Sequence, residues 1–472
     1  MLPVLGCRTT VRQMIMQKQD LVKSSTNSDS QTKRDFGSFH ASNVQELLSL
    51  SEDYVPPSCP FITPSFEDYI STGEKSVTFG KNAKKEFFLL EESCCFLNHG
   101  AFGGVLKQAL QTAQKWQEHA ERQPLRFYDR QLLPLLVHVA RRLAAFVGCD
   151  PKDLVLINNA TFGINSVLAS FPLKCADVIL TFNITYGATK KLVHHICTKT
   201  GAINREAIIQ FPVTGKQQIL ELLERELDRG DIKLVIVDHI PSNAPVIMPI
   251  ADMIQACQRA NVRVFVDGAH ALGALSLNIA ALDPDYYVSN AHKWLCCPKG
   301  AAFLYVKRGL QHQVRPVVVS HGLGSGFNSE FIWSGLHDYS PMLSLHTVLD
   351  FWSALGPDHI RGYMTKTAID GGHILTEAWQ TRLAAPDDMF GSMVLVELPT
   401  SIQSMFSTID YDAAEMVQNI LYKDFDIEVP VKSLQGQLYV RISAHIYNEK
   451  SDYDKLAYAI KLISQRDTDM NP

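Results

Sequence analysis

The run VRVFVDGAHALG (262–273), answered by SNAHKWLCCPKG (289–300), decides the fold. Its first half is β-branched and aromatic, closes on Asp267 and turns through Gly268, as a buried strand does when it delivers a carboxylate to its own carboxyl end. Twenty-six residues past Asp267 stands Lys293, preceded by His292 and followed by a Cys-Pro-Lys-Gly turn and the hydrophobic run AAFLYV (301–306). Taken singly, an Asp at a strand end is commonly a helix cap and a His-Lys pair commonly solvated surface. In this order and spacing they form a specific constellation.

Outward from this stretch, short β-branched runs alternate with amphipathic segments of helical length: LVLIN (154–158), DVILTF (177–182), AIIQF (207–211) and KLVIVD (233–238). Such alternation implies right-handed βαβ crossovers and an α/β fold whose mainly parallel sheet is covered by helices on both faces. Ligands on such sheets gather at the carboxyl ends of the strands. Residues 104–146 read as helices with a break near Gln123-Pro124. Beyond residue 340 the pattern becomes a long helix, MVLVELP (393–399), a helix near 410–422, LYVRIS (438–443) and a final helix, which reads as a smaller α+β domain. The expected organisation is a polar, largely disordered tail over 1–75, a segment at 76–110 that reaches the active site, a large domain over 111–340 and a small one over 341–472.

With 472 residues, 46% of them hydrophobic, the chain can bury a large core. A net charge of −5 offers no basic footprint for nucleic acid, and no apolar run approaches the length of a membrane span. The ten cysteines lack paired zinc-site spacing, so reduced thiols in an intracellular compartment are expected. The first 40 residues, with Arg8, Arg12 and Lys18 and a Ser/Thr-rich stretch, fit a disordered cytoplasmic tail, with a mitochondrial presequence as the alternative.

Lys293 and Asp267 suit complementary tasks. An amine that condenses with an aldehyde must be accessible in its neutral form, so its lysine belongs in a partly desolvated site. A carboxylate at a strand's carboxyl end is placed to keep a heteroaromatic nitrogen protonated, through a charge-assisted hydrogen bond of about 1.5–3 kcal/mol. Together these are the groups that pyridoxal 5′-phosphate (PLP) needs in order to draw electrons from a substrate Cα.

On these residues the chain resembles the class V aminotransferase-like family of fold-type I PLP-dependent enzymes, and within it the isopenicillin N epimerase-like and cysteine desulfhydrase-like branch, over roughly residues 95–450. The resemblance implies that Asp267 pairs with the pyridine nitrogen, His270 lies near the phenolic oxygen, Lys293 carries the cofactor and His292 contacts its phosphate. NNATFGINSVL (158–168) resembles the phosphate cradle, giving that role to Ala160 and Thr161, although Asn159 or Thr161 also suits a plain N-cap. Tyr186 matches an aromatic that stacks on the ring. Asn243 matches an asparagine near the phenolic oxygen or substrate, with loop capping as the competing reading, and His239 is placed beside it. FLNHGAFGG (96–104) resembles a loop whose Asn98, His99 and Gly100 face the substrate; the bland reading is a glycine turn. VRISAHIYN (440–448) resembles the motif whose arginine, here Arg441, clamps the substrate carboxylate. FIWSGLHDYSP (331–341) resembles a segment that crosses a dimer interface to the partner's phosphate, so a homodimer with shared active sites is implied. Gly335 keeps that pattern, whereas Leu336 stands where relatives carry threonine and removes a hydroxyl contact.

A PLP fold does not select its reaction. A persulfide-forming desulfurase needs a C-terminal cysteine, and none follows Cys297. Two readings remain on a small amino-acid substrate. A C–S β-lyase requires Lys293 as Cα base, whereas an epimerase requires a further acid-base group on the opposite face, for which His99 and Tyr128 are the nominees. A catalytically inactive binding protein would show damage at the lysine, aspartate or phosphate loop, and all three are intact.

Overall fold

A computed structural model of the protein describes residues 43–50, 54–66 and 78–468. In chain order its strands are β1 (Cys95–Phe96), β2 (Leu154–Ile157), β3 (Val178–Phe182), β4 (Ile203–Ala207), β5 (Ile232–Asp238), β6 (Arg263–Asp267), β7 (Tyr286–Asn290), β8 (Ala302–Val306), β9 (Met393–Glu397), β10 (Ile427–Glu428), β11 (Val431–Leu434) and β12 (Gln437–Ser443). Seven of them form the main sheet in the order β2-β8-β7-β6-β5-β3-β4. It is parallel from β7 to β4, while β8 runs antiparallel to both neighbours. Every residue of β3, β7 and β8 is buried, because helices cover both faces and leave no solvated side that would impose alternation.

Two strand expectations are corrected. The third strand is Ile203–Ala207, upstream of AIIQF, since β4 is an edge strand with Ile203, Asn204 and Glu206 exposed and needs no continuous apolar run. β7, with Ser289 and Asn290 at its end, was not singled out although it lies between β6 and β8. Its polar end residues serve the cleft described below.

The second layer of structure is a three-stranded antiparallel sheet, β11-β12-β9, packed with the helices Pro357–Trp379, Tyr411–Phe425 and Lys450–Thr468. β1 joins it from the N-terminal side by pairing in parallel with β10, which brings the 96–104 loop to the boundary between the two layers. The helix Leu345–Leu355 still packs on the large-domain helices Lys107–Arg122 and Leu132–Val147, so large-domain packing extends past the boundary expected at residue 341.

Part of the stretch read as a disordered tail is ordered: Asn43–Ser49 form a helix whose Val44 and Leu48, one helical turn apart, are buried with Val137. A single-turn apolar pair is too short a signal to see in the sequence. The presequence reading concerns residues outside those described. Among the described residues no helix is long and apolar enough to cross a membrane.

Candidate active site

The register of the main sheet builds the site. Asp238 at the end of β5 pairs in register with Asp267 at the end of β6, so two carboxylates stand side by side at the carboxyl edge. Both are buried and line one cleft with Tyr186, Ser242, His270, His292 and Lys293. The N-terminus of the helix Ala160–Ser170 closes one end of it.

Burial raises both carboxylates, and the charge at Asp267 raises Asp238 further, well above the usual range. Asp238 is thus the more strongly raised of the two, while Asp267 accepts the Ala269 amide at 3.0 Å and faces the Lys293 charge. Burial brings the Lys293 amine down to about 8, against the raising effect of Asp267. Its neutral form is thus within reach near neutral pH, as a condensing amine requires.

His270 explains how that amine is held. The Trp294 indole N–H donates to His270 Nδ1 at 3.3 Å, so the ring proton resides on Nε2, which lies 3.0 Å from Lys293 Nζ. An N–H pointing at Nζ needs a lone pair there, which the neutral amine supplies. Burial and then the Lys293 charge hold His270 well below the ordinary histidine value, so it stays neutral. Trp294→Phe is expected to release this tautomer. In ¹⁵N-histidine-labelled apoprotein held above about pH 8, where the Lys293 amine is neutral, His270 should change from pure Nε2–H to a tautomer mixture, by about 1 kcal/mol for one lost hydrogen bond. A pure Nε2–H signal in the variant would show that Trp294 does not set it.

Behind the lysine, His99 and His445 pin the backbone. His99 Nε2 donates to the Lys293 carbonyl at 3.0 Å and His445 Nε2 to the Trp294 carbonyl at 3.1 Å. This corrects the expectation that His99 faces the substrate. It is fully buried, and its remaining nitrogen accepts from the Tyr447 hydroxyl at 2.7 Å. Asn98 is likewise spent on orientation, donating to Glu428 at 2.9 Å and accepting from Arg441 at 2.7 Å. Gly100 sits where a Cβ would meet Met393 Sδ at 2.5 Å and approach Arg441 Nη2 and His270 Cε1 at 3.6 Å, so a larger residue there would displace the Met393 side chain.

Arg441 is fully buried and donates to the Ser242 carbonyl at 2.6 Å and to Asn98. Its Nε has no partner, and among the described residues no carboxylate pairs with it. Asn243 itself is exposed; the adjacent Ser242 lines the cleft. His239 is buried and bonds the Tyr287 hydroxyl at 2.8 Å. At the helix N-terminus the Ala160 amide is taken by the Asn290 side chain at 2.9 Å and the Phe162 amide by Asn159 at 2.9 Å. Asn159 is therefore the N-cap, and Thr161, exposed in the cleft, is the better anion contact of the expected pair. His292 adds a buried Nδ1 without a partner, its ring held neutral by burial and the Lys293 charge at about 4. Tyr186 lies on the cleft wall, partly exposed, its amide donating to Asp238 at 3.3 Å.

Gly335 lies outside this cleft in a left-handed conformation, and Leu336 beside it is 72% exposed. Leu336 and Tyr128 line a different surface hollow of about 570 Å³ against the helix Lys107–Arg122. Asp238, Ser242 and Trp294 are the site residues that sequence reading passed over. KLVIVD and VRVFVD end alike, which is the signal that would have found Asp238.

These groups fit PLP: a depressed lysine amine, a carboxylate beside it, an unpartnered His292 nitrogen near a helix N-terminus, and a buried guanidinium with no carboxylate partner among the described residues. Fold and site together define a fold-type I PLP-dependent enzyme. The chain belongs to the aminotransferase class-V family, which matches it over residues 105–378. It is 32% identical over 397 residues to L-cysteine desulfhydrase of Arabidopsis thaliana, covering 77% of this chain and 86% of that protein. Isopenicillin N epimerase of Streptomyces clavuligerus is 26% identical over 394 residues, covering 80% and 96% of the two chains. Among solved structures, the cystine C–S lyase C-DES in complex with its product cysteine persulfide has the same fold, with a TM-score of 0.67 at 20% identity over 78% of this chain and 97% of that one.

Proposed function

We propose that the protein is a PLP-dependent C–S β-lyase that acts on a sulfur-containing amino acid. The observation that carries the reading is the cleft itself: it holds Lys293, whose amine burial brings to about 8, while Arg441 reaches Ser242 on the cleft wall and meets no carboxylate among the described residues. His99 has both nitrogens committed, and Tyr128 lines the other hollow, so neither epimerase nominee stands in the cleft. The similarity to cysteine desulfhydrases supports the same choice.

When bound, PLP would supply an electron sink for the Cα carbanion. Lys293 would carry it, Asp267 would face its pyridine nitrogen, Tyr186 its ring, His270 its phenolic oxygen, and Thr161 and His292 its phosphate. Arg441 holds the substrate carboxylate bidentately and so turns the Cα proton toward Lys293, which removes it. The sulfur group then departs, leaving pyruvate and ammonia after hydrolysis. We further propose a homodimer in which the 331–341 segment meets the partner's site, supported by the exposure of Leu336.

Incubation with sulfur amino acids should yield pyruvate, ammonia and thiol or sulfide together. Cys296 and Cys297 are fully buried and burial pushes both thiols far up, so neither serves as a persulfide acceptor. Replacing both by alanine should leave turnover within about threefold of wild type, since a base-driven elimination asks nothing of them. Proton exchange and inversion at Cα in deuterated water, with no pyruvate, would replace this reading with epimerisation.

A further inference from the structure

The inner sheet of the small domain presents a second cation beside the first. Lys432 on β11 pairs with Tyr439 on β12, and Tyr439, Arg441 and Ser443 alternate onto one face. Residues directly opposite share a face in an antiparallel pair, so Lys432 shares it too, diagonal to Arg441. This face touches the cleft through Arg441, which reaches Ser242 on its wall. Ser443 Oγ accepts the His99 amide at 2.8 Å. Gln435, at the hairpin tip, bonds the backbone of Ile209 at 2.9 Å and Phe211 at 3.0 Å. The neighbouring Ser433 points the other way, to the Ile409 carbonyl at 3.1 Å beside the helix Tyr411–Phe425.

Lys432 is partly buried, and the charge it feels is that of Arg441. Burial and that charge bring its amine down to about 8. Among the described residues no carboxylate answers either cation. Two like charges drawn from water onto one face are costly unless an anion joins them. One anion, the α-carboxylate, satisfies Arg441 and leaves Lys432 over.

We propose that Lys432 binds an anionic group on the substrate's side chain, making the preferred substrate an amino acid that is acidic at both ends. The proposal rests on Arg441 holding the α-carboxylate. For a lyase it means that the departing sulfur carries the acidic tail.

The test is calorimetric titration of the holoenzyme with butyrate, succinate, glutarate and adipate, in wild type, Lys432→Met, Lys432→Arg and Arg441→Met. Wild type should bind the best dicarboxylate at least about tenfold more tightly than butyrate, as one charge-assisted contact allows. Lys432→Met should erase that preference without changing butyrate binding, and Lys432→Arg should keep most of it. No preference in wild type, or an undiminished one in Lys432→Met, overturns the proposal while Arg441→Met still loses butyrate. If wild type does not bind butyrate, or Arg441→Met binds it as wild type does, the reading of Arg441 falls and the proposal with it.

Discussion

Replacing Lys293 by alanine is expected to lower turnover by on the order of a thousandfold or more, because attachment of the cofactor and removal of the Cα proton depend on the same amine. The purified variant should also lose the visible absorbance of a lysine-bound cofactor. Borohydride reduction of wild type followed by peptide mapping places the label, and a pyridoxyl group on any other lysine would overturn the assignment. A second readout needs no cofactor. Burial lowers this amine from 10.5 to about 8. At about 1.4 kcal/mol for each tenfold, the native apoprotein gives up about 3 kcal/mol to keep a charged lysine there. The native chain binds fewer protons than the unfolded chain between those two values, so its stability rises with pH across that window. The cost is felt in full below about pH 8 and vanishes above about 10.5. Lys293→Met, which keeps the packing, should therefore melt several degrees above wild-type apoprotein at pH 7, and the gap should close as pH approaches 10.

Asp267→Asn is expected to keep the fold and lower kcat by about a hundred- to a thousandfold, the usual loss when a preorganised electrostatic partner is removed. The amide matches the carboxylate in shape but cannot hold a pyridine nitrogen protonated. Asp238 provides the control. Burial and the Asp267 charge favour its neutral carboxyl, which an amide matches in charge and shape, so Asp238→Asn should cost less than about tenfold. Steady-state kinetics on both variants distinguish the roles. Wild-type activity in Asp267→Asn, or equal losses in the two variants, would show that the charge is not concentrated on Asp267.

The neighbouring strand ends show why one aspartate was legible and the other was not. Asp267 announced itself because VDGAH and HKW lie close in the chain and carry a distinctive order. Asp238 carries the same strand-end signature, but only the β5–β6 register places it beside Asp267, and register is a property of the assembled sheet. His99 shows the converse. Its motif pointed to the cleft, yet the pairing of β1 with β10 and the hydroxyl of Tyr447 turn it inward to brace the Lys293 backbone.

The α/β class, the mainly parallel sheet and the candidate cofactor lysine with its carboxylate are legible in the amino-acid sequence, because each follows from local periodicity or from residues near one another in the chain, where side-chain type is enough to state the chemistry. The arginine of the small domain was legible only through the resemblance of its motif. The tertiary structure alone decided which proton sits where. The Trp294 contact sets the His270 tautomer, the β5–β6 register sets Asp238 beside Asp267 and so raises the Asp238 carboxyl, and the β11–β12 register brings Lys432 beside Arg441. These are consequences of burial and of distances between residues far apart in the chain, and ionisation responds to both far more steeply than secondary structure does.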